Sequence, residues 1–180
     1  MSNPMNDGKE AVAVSYSEGH LQYLTFMLQR ETFAVAILNI KEIIEYGHLT
    51  TVPMMPDFIR GVINLRGSVV PVVDLRARFE GKKSDITRRT CIVIVEMTAA
   101  EHERLVVGVV VDAVNEVLEI PDSEIELLPA IDGNIRADFI QGMGKVNGRF
   151  VIILDVAKIF SIEEFSLLKQ DKKSVDMEAA

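Results

Sequence analysis

The sequence predicts an all-β chain with short helices, folded as two pseudo-symmetric barrels of about five strands each, with one β-sandwich of Greek-key connections as the alternative, and closed by a C-terminal helix. Three observations lead there. Apolar runs are short, rich in Val and Ile, and separated by glycine turns, as in Thr90–Glu96 and Leu105–Val111. None is long enough for a membrane helix. Finally, one block of the chain occurs twice.

The duplicated block begins at Asp57-Phe58-Ile59-Arg60-Gly61 and returns at Asp138-Phe139-Ile140-Gln141-Gly142, a constant offset of 81. Gly67, Val70, Asp74 and Phe79 recur as Gly148, Val151, Asp155 and Phe160. Each copy reads as strand, two-residue turn with Gly second, and an apolar strand ending at Asp. Such a turn needs positive φ at both central residues. Asn147 suits the first of them and Arg66 does not, so one hairpin reads as built to turn and the other to display a cation. An earlier block, Ala34–Glu45, parallels Gly108–Glu119 at an offset of 74, so the second half carries seven extra residues before its hairpin. Insertions of that kind belong in surface loops, here Pro121–Arg136, whose Ile125, Leu127, Leu128 and Ile131 read as packed.

In chain order, residues 1–18 are polar and aperiodic and read as a flexible leader. Leu21–Leu28 and Phe33–Leu38 flank Gln29-Arg30-Glu31 as a hairpin. Asn39–Glu45 mixes helical and strand spacing and stays open between them. Pro53 and Pro56 mark an extended connection, and Leu75–Phe79 a single helical turn. Ser161-Ile162-Glu163-Glu164 matches a capping box ahead of a terminal helix. The folded domain is expected over 19–170, with a flexible tail at 171–180.

Composition excludes several functions. A 48% hydrophobic chain of 180 residues folds without metals or disulfides, and the single Cys91 fits a reducing compartment. The N-terminus lacks a signal-peptide core, so the cytoplasm is expected. With 19 basic against 27 acidic residues the net charge is −8, and nucleic acid is not an expected partner. Arg60, Arg66, Arg76, Arg78, Lys82, Lys83, Arg88 and Arg89 nevertheless gather in and after the first copy. They read as a solvated loop or as a docking surface for an acidic protein. His20, His48 and His102 are scattered, and no metal or cofactor site is expected. Gly81-Lys82-Lys83-Ser84 lacks the upstream glycine of a phosphate-binding loop. Cys91 sits in an apolar run where a thiol stays protonated. Asp74 and Asp155 end equivalent strands, which favours helix capping over catalysis. Ile37, Ile40, Ile43, Ile44, Val114, Val117 and Leu118 occupy matching places, core first and, second, the lining of a groove between lobes suited to a partner helix.

The run from Asp57 to Arg76, with its Asn64-Leu65-Arg66-Gly67 turn, resembles the signature of the chemotaxis coupling family CheW, supported by Ile40-Lys41-Glu42-Ile43 and Gly108–Asp112. The resemblance covers roughly Gln22 to Leu168. It implies paired five-stranded SH3-like barrels that bridge a chemoreceptor's cytoplasmic helical tip and the regulatory domain of a CheA-type histidine kinase. The adaptor would be non-enzymatic, without cofactors, and would sit at membrane-associated arrays through its partners. Carried over by position, receptor contacts fall on Ile37, Ile40, Arg66 and Val117. Kinase contacts fall on Glu42, Ile43, Arg60 and Gly61, with Glu42 the implied partner of Arg66. Alternatives are the same scaffold in surface motility or biofilm signalling, and a small groove enzyme using Asp74 or Asp155.

Overall fold

A computed structural model describes residues 20–98, 103–127 and 139–159. The stretches expected to form the leader, the terminal helix and the tail, with Leu128 and Ile131, lie outside them. Eleven strands are present: β1 His20–Leu28, β2 Glu31–Ala36, β3 Ile40–Glu45, β4 Ile59–Leu65, β5 Ser68–Asp74, β6 Cys91–Thr98, β7 Arg104–Val111, β8 Ala113–Pro121, β9 Ile125–Glu126, β10 Ile140–Val146 and β11 Arg149–Leu154. Among the described residues one α-helix, α1, spans Leu75–Glu80, and short 3-10 turns cover Ile37–Asn39, Asp122–Glu124 and Val156–Lys158. The open reading of Asn39–Glu45 resolves as strand from Ile40 onward, with Asn39 ending a 3-10 turn. The β-branched isoleucines at 40, 43 and 44 pair with β6 instead of coiling.

The strands form a five-stranded sheet, β3-β6-β7-β5-β4, and a six-stranded sheet, β8-β1-β2-β11-β10-β9. We call these the first and second lobes. Each curls back on itself through the chain that leaves its first strand: Thr50 bridges Val62 on β4, and β9 pairs with Met143 and Gly144 on β10. This removes the exposed edge of a flat sheet.

The duplication maps β3, β4 and β5 onto β8, β10 and β11, and the two sheet orders then coincide strand for strand. The lobes, however, are not the repeats. The first hairpin, β1–β2, belongs to the second lobe, and its counterpart β6–β7 belongs to the first. Each exchange is sealed by a parallel pair, β5 with β7 in the first lobe and β2 with β11 in the second.

Strand alternation divides the apolar residues among three cores. Val70, Val72, Ile92, Ile94 and Val110 fill the first barrel, and Tyr23, Ala34, Ile120, Val151 and Ile153 the second. Val73, Val93, Val95, Val107 and Val109 face the other way and meet Leu24, Phe26, Val35 and Leu154 between the lobes. That is why Cys91–Val95 and Leu105–Val111 lack a polar face. α1 reinforces the junction: Phe79 stacks on Phe33 and Phe139, and the Arg78 guanidinium lies 5.3 Å from the Phe58 ring centre and 5.1 Å from that of Phe139.

Candidate partner-binding surfaces

Leu65 and Ser68 close the first hairpin and Val146 and Arg149 the second, leaving Arg66-Gly67 and Asn147-Gly148 as two-residue turns. All four residues have positive φ: 53° and 87° in the first turn, 51° and 78° in the second. Gly67 N–H donates to Asn64 Oδ1 at 2.8 Å, tightening the tip. Arg66 therefore occupies a left-handed conformation that an L side chain enters at a cost of roughly 1–2 kcal/mol. Its side chain is 81% exposed, and Nη2 donates to Glu42 Oε2 at 2.8 Å. Glu42 Oε1 is buried and has no hydrogen-bond partner among the described residues, so Arg66 supplies the direct donor to this carboxylate.

β3 distributes the other candidates by face. Ile40 lies opposite Val95, and a bulge then sets Glu42 opposite Ile94, Ile43 opposite Val93 and Ile44 opposite Ile92. Cross-strand partners share a face. Ile40 and Ile43 thus lie on the inter-lobe side, whereas Glu42 and Ile44 lie on the barrel side. Ile37 and Ile40 pack on the inter-lobe core, as does Val114. Ile43 and Val117 remain 43% and 47% exposed. They are equivalent under the offset of 74, so each lobe presents one apolar residue at the same station. Val117 lies opposite Leu24 of the inter-lobe core. Leu38, 52% exposed, was not singled out in the sequence; its place in an apolar run concealed that it sits in a 3-10 turn.

Arg60 and Gly61, expected at the kinase surface, are directed inward. Arg60 Nε lies 3.0 Å from Asp74 Oδ2, and Nη2 donates to the Ser84 carbonyl. Asp74 is fully buried and also accepts from Ser84 N at 2.7 Å, Ser84 Oγ at 2.8 Å and Ala77 N at 3.2 Å. Gly61 forms a bulge at which a Cβ would fall 2.5 Å from the carbonyl oxygen of Thr50, the residue whose bridge to Val62 closes the barrel. Gly142, its duplicate, meets the Glu126 carbonyl in the same way at 2.9 Å. These glycines permit backbone contact.

The aspartates weighed for catalysis serve as caps. Asp74 caps α1, and Asp155 Oδ1 accepts from Ala157 N at 3.1 Å. Of the basic group, Arg76 pairs with Glu80 and Asp85, while Lys82, Lys83, Arg88 and Arg89 are exposed. Within the insertion Ile125 packs in the second barrel, but Leu127 is 82% exposed, contrary to the expectation that it packs. No group of His, Cys, Asp and Glu able to hold a metal occurs among the described residues, and no helix there is long and apolar enough to cross a membrane.

Burial raises the pKa of the Cys91 thiol above its ordinary value, and the Glu45 carboxylate opposite adds to the shift. Its Sγ–H donates to the Arg89 carbonyl at 3.3 Å. A raised pKa means less thiolate at a given pH. Cys91 is expected to react several-fold more slowly than free cysteine with a disulfide reagent at pH 8, and Glu45→Gln to recover part of that rate. A fast wild-type reaction would contradict this.

The family model of the CheW-like domain matches residues 22–164. The chain is 33% identical to the chemotaxis protein CheW of Klebsiella aerogenes over 153 residues, 85% of this chain and 89% of that one. It is 33% identical to a probable chemotaxis protein CheW of Rhizobium etli, covering 83% and 94%. The crystal structure of the scaffolding protein TtCheW from Thermoanaerobacter tengcongensis superposes with a TM-score of 0.71 at 31% identity, covering 80% of this chain and 90% of that one.

Proposed function

The chain belongs to the CheW-like family and is an adaptor of chemotaxis, and on that premise we propose that it joins the cytoplasmic helical tip of a chemoreceptor to the regulatory domain of a CheA-type histidine kinase. It does so in the cytoplasm, at receptor arrays, without catalysing a reaction. The observation that carries this reading is Arg66. A cation held in a left-handed turn conformation at an exposed tip, where the duplicate uses Asn147, is favoured by contact with a partner and not by the turn itself.

The receptor surface comprises the second-lobe part of the inter-lobe side, with Val117 exposed, backed by Ile37 and Ile40 and joined by Arg66 from the hairpin tip. The kinase surface follows β3 of the first lobe, with Ile43 exposed on one face and Glu42 on the other, and Arg60 and Gly61 hold the shape of that lobe from within. Apolar side chains about half exposed suit the amphipathic face of a partner helix. Their truncation to a charge is tolerated by the fold because neither is in a core.

Val117→Asp is therefore expected to reduce co-sedimentation with receptor-bearing membranes at least about tenfold, while kinase binding holds. Ile43→Asp is expected to do the reverse. Circular dichroism checks that both variants fold. Wild-type protein that binds neither partner defeats the proposal, and two variants with the same profile defeat the division of surfaces.

A further inference from the structure

The exchange of hairpins between lobes means that neither repeat owns a core. Each barrel takes residues from both: Val70 and Val72 of the first repeat with Ile92, Ile94 and Val110 of the second, then Tyr23 and Ala34 with Ile120, Val151 and Ile153. The inter-lobe core is likewise shared, Leu24, Phe26 and Val35 meeting Val93, Val107 and Val109. Of the nine strand ladders among the described residues, four cross from one repeat to the other: β1 with β8, β2 with β11, β3 with β6, and β5 with β7. Within a repeat, two hairpins and a short closing pair remain, and an isolated hairpin is marginal in water.

Against this shared surface the covalent connection is slight. The repeats are joined only through the segment from Gly81 to Thr90. Ser84 is fastened to Asp74, and the Thr90 carbonyl accepts from Tyr46 N at 3.2 Å. Asp85, Ile86, Thr87, Arg88 and Arg89 between those anchors are exposed. The ends of both repeats are thus positioned by contacts independent of the peptide that links them.

We infer that the two repeats are obligate partners of each other, that the link between them is dispensable once they have met, and that the matching repeat of a second copy of this chain can take the same place. The product of such an exchange is a closed two-fold dimer in which each bilobal unit draws one repeat from each copy. Every ladder and core is then preserved, and only the connecting segments take a different path.

The test uses the full chain with a specific protease site inserted between Asp85 and Ile86, folded first and cut afterwards. The cut halves are expected to elute together at the mass of the intact 20.0 kDa chain, with an unchanged circular dichroism spectrum. Their melting midpoint should rise with protein concentration, as a bimolecular assembly requires, whereas that of the uncut chain should not. Halves that separate while folded, or a cut protein whose midpoint ignores concentration, overturn the claim of obligate partnership. For the second copy, tagged and untagged uncut chains are unfolded together and refolded at rising concentration. A mixed dimer at twice the mass of the chain, captured through the tag, is expected; monomer at every concentration overturns the exchange.

Discussion

Asp74→Ala is expected to destabilise the protein by about 3–5 kcal/mol, the range for removing one partner of a buried ion pair. Asp74 is fully buried, and its oxygens receive Arg60 Nε, Ser84 N, Ser84 Oγ and Ala77 N. Alanine leaves a guanidinium whose side chain is only 17% exposed without its counter-charge. It also strands two backbone N–H groups, and each such group costs about 1–3 kcal/mol when water cannot replace the lost acceptor. The duplicate provides an internal control. Asp155 occupies the same position, yet its side chain is 33% exposed and its partners are the Ala157 N–H and, at 4.0 Å, Lys158. Asp155→Ala removes a helix-type cap and should cost only about 1 kcal/mol. Thermal unfolding is expected to show a drop on the order of 10 °C for Asp74→Ala and a few degrees for Asp155→Ala. Equal losses would mean that the Arg60 and Ser84 contacts add nothing beyond capping.

This contrast also shows what was readable in the chain and what was not. The two aspartates look identical in sequence because the duplication copies the strand and its cap. What separates them is Arg60, replaced by Gln141 in the second copy, together with Ser84, ten residues beyond Asp74 in a loop whose return path no local pattern encodes. In sequence Arg60 is therefore indistinguishable from the surface cations around it. The packing role of Gly61 is hidden for a related reason: a bulge is invisible until the segment passing over it is known. The bulge in β3 had the same effect, since an insertion of one residue changes which side chains share a face, and it put Ile40 and Ile43 together.

Strand positions were more legible, because β-branched residues and glycine turns act locally. The lobes were legible in number but not in membership. Repetition in sequence says that two similar units exist; it does not say whether β1 pairs with β3 or with β8, which the shared inter-lobe core decides. Turn chemistry was the most informative signal. A two-residue hairpin demands φ > 0 at its first position, so the Arg66 anomaly was visible before any contact was known, and the duplicate supplied the ordinary solution.

Arg66→Asn should therefore separate fold from coupling. Asparagine relieves the left-handed penalty, by roughly 1 kcal/mol. The change also removes the pair with Glu42, which for an arginine 81% exposed is worth about 0–1 kcal/mol. The two effects oppose each other at similar size, and the variant should unfold within about 1 kcal/mol of the parent. The proposed assembly with receptor and kinase has no such compensation. An exposed arginine at an interface centre is commonly worth 2 kcal/mol or more, so the ternary complex is expected to weaken at least about tenfold. Adding Glu42→Gln completes a double-mutant cycle. If the pair is the reason for Arg66, the two changes will be strongly non-additive in stability; if contact with partners is the reason, the coupling will be small in stability and the binding loss will persist in Arg66→Asn alone. A destabilised variant that still assembles would assign Arg66 to the fold. The geometry argues the other way, because a residue chosen for stability at this turn would be the one the second hairpin already carries.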